Sequence, residues 1–230
     1  MDVKIVFENN DLIIIDKPFG LQVEPDKNNH PNLLHTIIDQ QKLKDKLFVV
    51  NRIDRPTSGL VVFAKKKSAC TFLQSEWTSN NVRKKYLAIV QGQLSNGSQL
   101  LQHFIYKDFK LHRAIVSDTK VNDDYKECKL QYNVLTYNND WSLLEIELLT
   151  GRYHQIRAQL SYIGHPIWND ILYGAEKKMD DSCIGLHCYY NSFKISGTSA
   201  VKTFSALPMM HPAFGVLENW QEQVFHLSKK

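Results

Sequence analysis

Cysteine is scarce in this chain. Its 230 residues contain four, Cys70, Cys128, Cys183 and Cys188, too few and too scattered for a disulfide framework. Cys183 and Cys188 flank His187, but no second Cys/His pair completes a tetrahedral set, so no metal is expected and the cysteines read as small buried hydrophobes. Long apolar runs are also missing. Leu12 to Ile15 and Leu60 to Ala64 are the longest, far below the roughly 20 residues that span a bilayer. The start, Met1-Asp2-Val3-Lys4, lacks the basic, apolar and small-residue regions of a signal peptide. The expected setting is therefore the cytoplasm, with no membrane partner. Four chemical signatures are absent as well: Gly-x-x-x-x-Gly-Lys-Ser/Thr, Gly-x-Gly-x-x-Gly, His-Glu-x-x-His and Gly-x-Ser-x-Gly. Their absence removes the simplest nucleotide-hydrolysing, dinucleotide-binding, zinc-protease and α/β-hydrolase schemes.

What is present suffices for a packed core: 43% of residues are hydrophobic and 23% charged. The length suits one large domain or two small ones. A formal net charge of +4 decides little alone. The basic residues cluster at Lys65-Lys66-Lys67, at Arg83-Lys84-Lys85 and at Arg152 and Arg157. Such clusters either follow a phosphate backbone or cover solvated strand ends.

Strands are expected at Val3 to Phe7, Leu12 to Asp16, Leu60 to Lys65, Tyr86 to Leu94 and Glu127 to Tyr137. Leu144, Ile146 and Leu148 alternate with Glu145 and Glu147, as in a half-buried strand. Asn29 to Asn32 reads as a loop capping a helix through Leu33, Leu34, Ile37 and Ile38, and Ser68 as the cap of a helix to about Thr78. A third helix is expected over His154 to Ile163, with the stripe Ile156, Leu160 and Ile163. Arg157 lies off that stripe, on the side of His154 and Ser161, which points it toward a cleft or solvent. His187 to Lys194 and Phe204 to Ala206 read as strands and Ala213 to Gln221 as a closing helix; Asp118 to Asp124 and Glu176 to Ser182 read as surface loops. Many strands, few helices and no regular alternation predict an α+β fold: a mainly antiparallel mixed sheet with flanking helices.

Two dense blocks stand out. Arg52-Ile53-Asp54-Arg55-Pro56-Thr57-Ser58-Gly59 sets a carboxylate between guanidinium groups ahead of an apolar strand, and Thr150-Gly151-Arg152-Tyr153-His154-Gln155-Ile156-Arg157 opens the third helix. With them come Asp11 to Leu21, containing Lys17-Pro18-Phe19-Gly20, then Arg83 to Ala88, Ile163 to Ile167, Asp170 to Gly174 and Leu186-His187. In this order they resemble the RluA family of RNA pseudouridine synthases over nearly the whole chain.

That resemblance implies isomerisation of uridine in structured RNA, transfer RNA or ribosomal RNA or both, without cofactor. Asp54 would act as nucleophile or close to it, Tyr86 would stack on the target base, and Arg157 would pair with Asp54. Arg52, Arg55, Arg152, His154 and Gln155 would contact substrate. General physics agrees with these residue types. A base in folded RNA must be flipped out at a cost of a few kcal/mol, and an aromatic face recovers roughly 1–3 kcal/mol. Burial raises a carboxylate pKa by up to about 3–5 units, and an arginine within about 4–6 Å lowers it by about 1–3. The resemblance begins near Val3, so a single catalytic domain over residues 1–230 is expected, monomeric and without a preceding RNA-binding module. Three positions depart from the family pattern: Asn51 stands for His, Gln159 for His, and Cys188 for Ala. They bear on RNA-backbone contacts and substrate choice.

Overall fold

The computed structural model describes residues 2–28, 30–42, 46–79, 81–195 and 200–227; Asn29, first residue of the expected loop, lies outside them. In chain order the strands are β1 (Lys4–Glu8), β2 (Leu12–Lys17), β3 (Phe48–Val49), β4 (Ser58–Ala64), β5 (Arg83–Gln91), β6 (Ser98–Asp108), β7 (Arg113–Ser117), β8 (Lys126–Tyr137), β9 (Trp141–Leu148), β10 (Leu186–Lys194) and β11 (Val201–Ser205). The α-helices are α1 (Leu33–Gln41), α2 (Lys67–Thr78), α3 (Gln155–Tyr162) and α4 (Trp220–Phe225). Mostly antiparallel strands with few helices make the expected α+β class. No helix among the described residues is long and apolar enough to cross a membrane.

The chain divides into two compact units. The first comprises Met1–Arg83 and His187–Pro208. Its sheet centres on β4, which pairs antiparallel with β2 and β3 and parallel with β10. Every residue of β4 is buried, as its unbroken apolar run requires of a strand covered on both faces. Gly59 sits at φ +111°, and a Cβ there would lie 2.2 Å from the Cys188 carbonyl oxygen. Only glycine permits that approach of β4 to β10. Helix α1 is capped by Asn32, whose side chain accepts the His35 N–H at 3.0 Å. Helix α2 starts after extended Lys66 without a side-chain cap, so the expected cap Ser68 falls inside its first turn.

The second unit comprises Lys84–Leu186 and Met209–Lys230. Its antiparallel strands run in the order β5, β9, β8, β6, β7. No element is expected from the sequence over residues 95–117. The structure places β6 and β7 there, because Leu101, His103 and Ile105 turn inward at period two; the polar His103 obscures the apolar alternation. Ile105, Ala114, Cys128, Ala158 and Tyr173 form a buried cluster that joins this hairpin to α3. The expected closing helix is split into a 3-10 turn, Pro212–Val216, and the short α4. Extended Leu217 and left-handed Asn219, at φ 53°, break it. All four cysteines are free and buried; burial pushes the Cys183 thiol up to about 12 and the Cys128 thiol up to about 11.

Candidate active site

In the first unit, Asp54 lies half-buried on the turn that enters β4, with exposed Arg52 and Arg55 on either side. The turn is closed by the Thr57 N–H donating to the Asp54 carbonyl at 3.1 Å. Upstream, the Asn51 side-chain oxygen accepts the Val62 N–H at 2.7 Å. Asn51 thus ties the loop to β4, a task that needs an amide oxygen and no charge. Downstream, Ser58 Oγ meets His187 Nδ1 at 2.8 Å, and His187 Nε2 meets the Ala206 carbonyl at 2.8 Å. With its Nε2 proton committed to that carbonyl, His187 accepts the Ser58 hydroxyl proton at Nδ1. Arg52 pairs with Glu24 at 3.0 Å on the surface, a contact of small energetic weight. The Thr57 hydroxyl is buried and without a hydrogen-bond partner among the described residues.

The unforeseen member is Lys17. It is 0% exposed, and its ammonium donates to the carbonyls of Pro18 at 2.9 Å, Leu21 at 2.6 Å and Arg55 at 3.1 Å. The Gly20 N–H also donates to the Arg55 carbonyl, at 2.9 Å. The Lys17-Pro18-Phe19-Gly20 turn is therefore the floor on which the Asp54 turn rests. Burial pushes the Lys17 ammonium down to about 7, while Asp54 favours the charged form and Arg55 opposes it.

This buried amine has a consequence for stability. Between about 7 and the ordinary 10.5, the unfolded chain holds the extra proton. Stability is therefore expected to rise as pH increases through that window, by up to about 5 kcal/mol, whereas below it the burial cost is present in full. Lys17→Met should remove this slope from urea midpoints compared at about pH 7 and about pH 9.5. A variant that retained the wild-type slope would show that another group causes it.

In the second unit, Tyr86 lies on β5 opposite Ile146 and is 8% exposed. Arg152, His154, Gln155 and Arg157 come together in the turn before α3 and in its first turn. Left-handed His154, at φ 51°, lets the chain enter the helix. Gln155, expected among the substrate contacts, is 2% exposed. Its oxygen accepts the Thr150 hydroxyl at 2.8 Å and the Arg152 N–H at 3.0 Å, and its nitrogen donates to the Lys129 carbonyl at 3.1 Å and to Gln159 at 3.0 Å. It shapes the loop from within. Gln159 is wholly buried and contacts His103 Nδ1 at 2.9 Å, so an uncharged amide suits the position. Arg152 is exposed, its Nε donating to the Glu127 carbonyl at 3.2 Å.

Of the two expected settings for Arg157, a cleft or solvent, open solvent is excluded: the residue is 5% exposed. Its Nε and Nη2 donate to the two carboxylate oxygens of Asp170 at 2.7 and 2.8 Å, and its guanidinium lies 5.1 Å from the Tyr173 ring centre. Tyr173 also takes the Ala114 N–H on its hydroxyl at 2.7 Å and shares a 3.0 Å hydrogen bond with His154 Nδ1. The polar face of α3 is thus buried because each polar group has a partner.

The basic clusters that suggested phosphate contacts are largely committed internally. Lys65 pairs with Glu8 and Lys66 with Asp11. Lys84 is 8% exposed and Lys85 pairs with Glu145 at 2.8 Å. Lys67 and Arg83 remain exposed.

Residues 11–162 match the family model described as RNA pseudouridylate synthase. Ribosomal large subunit pseudouridine synthase D of Nitrosomonas europaea is 36% identical over 178 residues, covering 75% of this chain and 50% of that protein. The mitochondrial tRNA pseudouridine(32) synthase of Saccharomyces cerevisiae is 31% identical over 178 residues, covering 76% and 38%. This chain spans from 31% to 73% of the length of the curated relatives it is compared with. Among solved structures, human RNA pseudouridylate synthase domain containing 1 superposes with a TM-score of 0.79 at 19% identity, covering 100% and 96% of the two chains, a likeness of fold.

Proposed function

Because the chain belongs to the RNA pseudouridylate synthase family, we propose that it isomerises uridine to pseudouridine in structured RNA, with transfer RNA and ribosomal RNA as the candidate substrates. The reaction breaks the bond from the ribose C1′ to N1 of uracil, turns the base, and joins C1′ to C5. The C5 hydrogen leaves as a proton and N1 gains one, so the change is redox-neutral and no reductant is consumed.

The observation that carries this reading is the built platform beneath Asp54. A buried lysine, the Asn51 amide and the Ser58–His187 pair hold the turn from below and from both ends, while Asp54 itself stays half-buried. An ordinary surface ion-pair loop needs no such support. Asp54 is the nucleophile in this scheme, Tyr86 the stacking ring, and Arg157 the cation of the site, aimed by Asp170 and Tyr173. Arg52, Arg55, Arg152 and His154 are the candidate substrate contacts. The names of the two relatives, one acting on ribosomal RNA and the other on transfer RNA, support both pools as candidates.

The test is pseudouridine mapping on unmodified transfer RNA and ribosomal RNA transcripts incubated with the purified protein. New pseudouridine at defined positions is the expected result. Release of free uracil would replace the isomerase reading with a glycosidase, and absence of product on both pools would overturn it.

A further inference from the structure

The β6–β7 hairpin carries a feature that neither the catalytic scheme nor the sequence motifs use. At its tip, Lys107, Phe109, Lys110, Leu111, His112 and Arg113 are all exposed, with Phe109 68% exposed. The tip carries one acidic group, Asp108, one of whose carboxylate oxygens accepts the N–H groups of Lys110 at 2.8 Å and Leu111 at 2.9 Å, and which also attracts the Lys110 and Arg113 charges. The tip thus presents three cations and a large aromatic ring to solvent against one carboxylate, an excess of positive charge, whereas Lys65, Lys66 and Lys85 are each matched by a carboxylate within hydrogen-bond distance.

Resting on the RNA-modifying reading above, we propose that this hairpin tip is an RNA-docking element for a single-stranded loop: a base stacks on Phe109 while Lys110 and Arg113 meet flanking phosphates. Charge decides the class of partner, because clustered exposed cations favour a polyanion. The aromatic ring decides its form, since bases in a duplex are already stacked and those in a loop are not.

Preorganisation favours the same assignment. The Lys107 ammonium lies between two rings, 4.6 Å from the Phe109 centre and 4.4 Å from the Tyr153 centre, so Phe109 is held from one side before RNA arrives. The tip is also tied to the turn before α3. The Tyr153 hydroxyl donates to the His112 carbonyl at 3.2 Å, and the Tyr153 and His154 rings stack at 3.8 Å. From His154 the contacts continue through Tyr173 to Arg157. RNA held at the hairpin is thereby in register with the guanidinium that the catalytic scheme uses.

The experiment is fluorescence anisotropy with the full chain, using an oligouridine strand and a blunt RNA duplex with equal numbers of phosphates. Phe109→Ala should weaken strand binding about five- to 150-fold and duplex binding by less than about twofold. Replacing both Lys110 and Arg113 by alanine should weaken both ligands and flatten the logarithmic salt slope on the strand by about 1.4. Thermal melts confirm that the variants fold, as their surface positions predict. Wild-type strand affinity in Phe109→Ala, or an equal loss on strand and duplex, would overturn the proposal. Unchanged affinity for both RNAs in every variant would also overturn it and leave the tip to a protein partner. Pseudouridine formation by the wild type is read separately. Product together with Phe109-independent binding removes the hairpin assignment and keeps the isomerase. Phe109-dependent strand binding without product does the reverse.

Discussion

Asp54→Asn is expected to lower pseudouridine formation by roughly 10⁴-fold or more, with RNA affinity within about threefold of wild type. The two effects separate because different groups carry them. Bond making at carbon needs the carboxylate, and an amide of the same shape is no substitute. RNA affinity comes mainly from phosphate contacts, to which a single buried-side anion contributes little. The turn itself should survive, since its closing hydrogen bond uses the Asp54 backbone carbonyl, which asparagine keeps. One secondary change follows from the charge. Asp54 helps keep the Lys17 ammonium charged, so the asparagine variant should push that group lower still. Single-turnover assays with matched binding isotherms check the main claim. Turnover within about tenfold of wild type would remove Asp54 from the nucleophile role.

Asp170→Ala is expected to destabilise the protein by about 3–5 kcal/mol, a fall in melting temperature of about 10 °C for a chain of this size. Both ends of the Arg157–Asp170 pair are buried, with side chains 6% and 1% exposed. Removing the carboxylate therefore takes the bidentate acceptor from a guanidinium held away from water. The double replacement of Arg157 by methionine and Asp170 by leucine should recover most of that stability, because an apolar pair of similar volume avoids the desolvation cost. It should not recover activity. This combination distinguishes an arginine retained for chemistry from one retained for folding, because a folding role alone would let the apolar pair restore both. A melting temperature within about 2 °C of wild type in Asp170→Ala would show that the pair is not the buried ion pair described.

Much of the framework was legible in the sequence, for physical reasons that differ from element to element. β4 is an unbroken apolar run, so only a strand covered on both faces suits it. β9 alternates Leu144, Ile146 and Leu148 with glutamates, which period-two geometry turns to opposite faces. Asn32 announced α1 because a short polar side chain can take an otherwise unpaired helix N–H. The segment around Asp54 was visible through its resemblance to a known family and not through any local pattern of polarity.

What the sequence could not show on α3 has one cause. The stripe on α3 pointed Arg157, on the side of His154 and Ser161, toward a cleft or solvent, because apolar stripes report where unpaired polar groups would be costly. Ser161 donates to the Tyr173 carbonyl at 2.7 Å, His154 bonds its hydroxyl, and Arg157 is neutralised by Asp170. A paired polar group is as much at home inside as an apolar one, and pairing is invisible along the chain. Arg157 finds its carboxylate 13 residues away, Lys17 its Arg55 carbonyl 38 away, and Ser58 its imidazole 129 away.

The sequence by itself therefore determined the strand-rich class and the family, and nominated the candidate site residues. The tertiary structure alone decided which charges are buried, which carbonyls and carboxylates support them, and that Phe109 stands exposed beside Lys107, Lys110 and Arg113 at the tip of the β6–β7 hairpin. The division follows from range: propensity and periodicity act between neighbours along the chain, whereas desolvation and hydrogen bonding act between groups that only folding brings together.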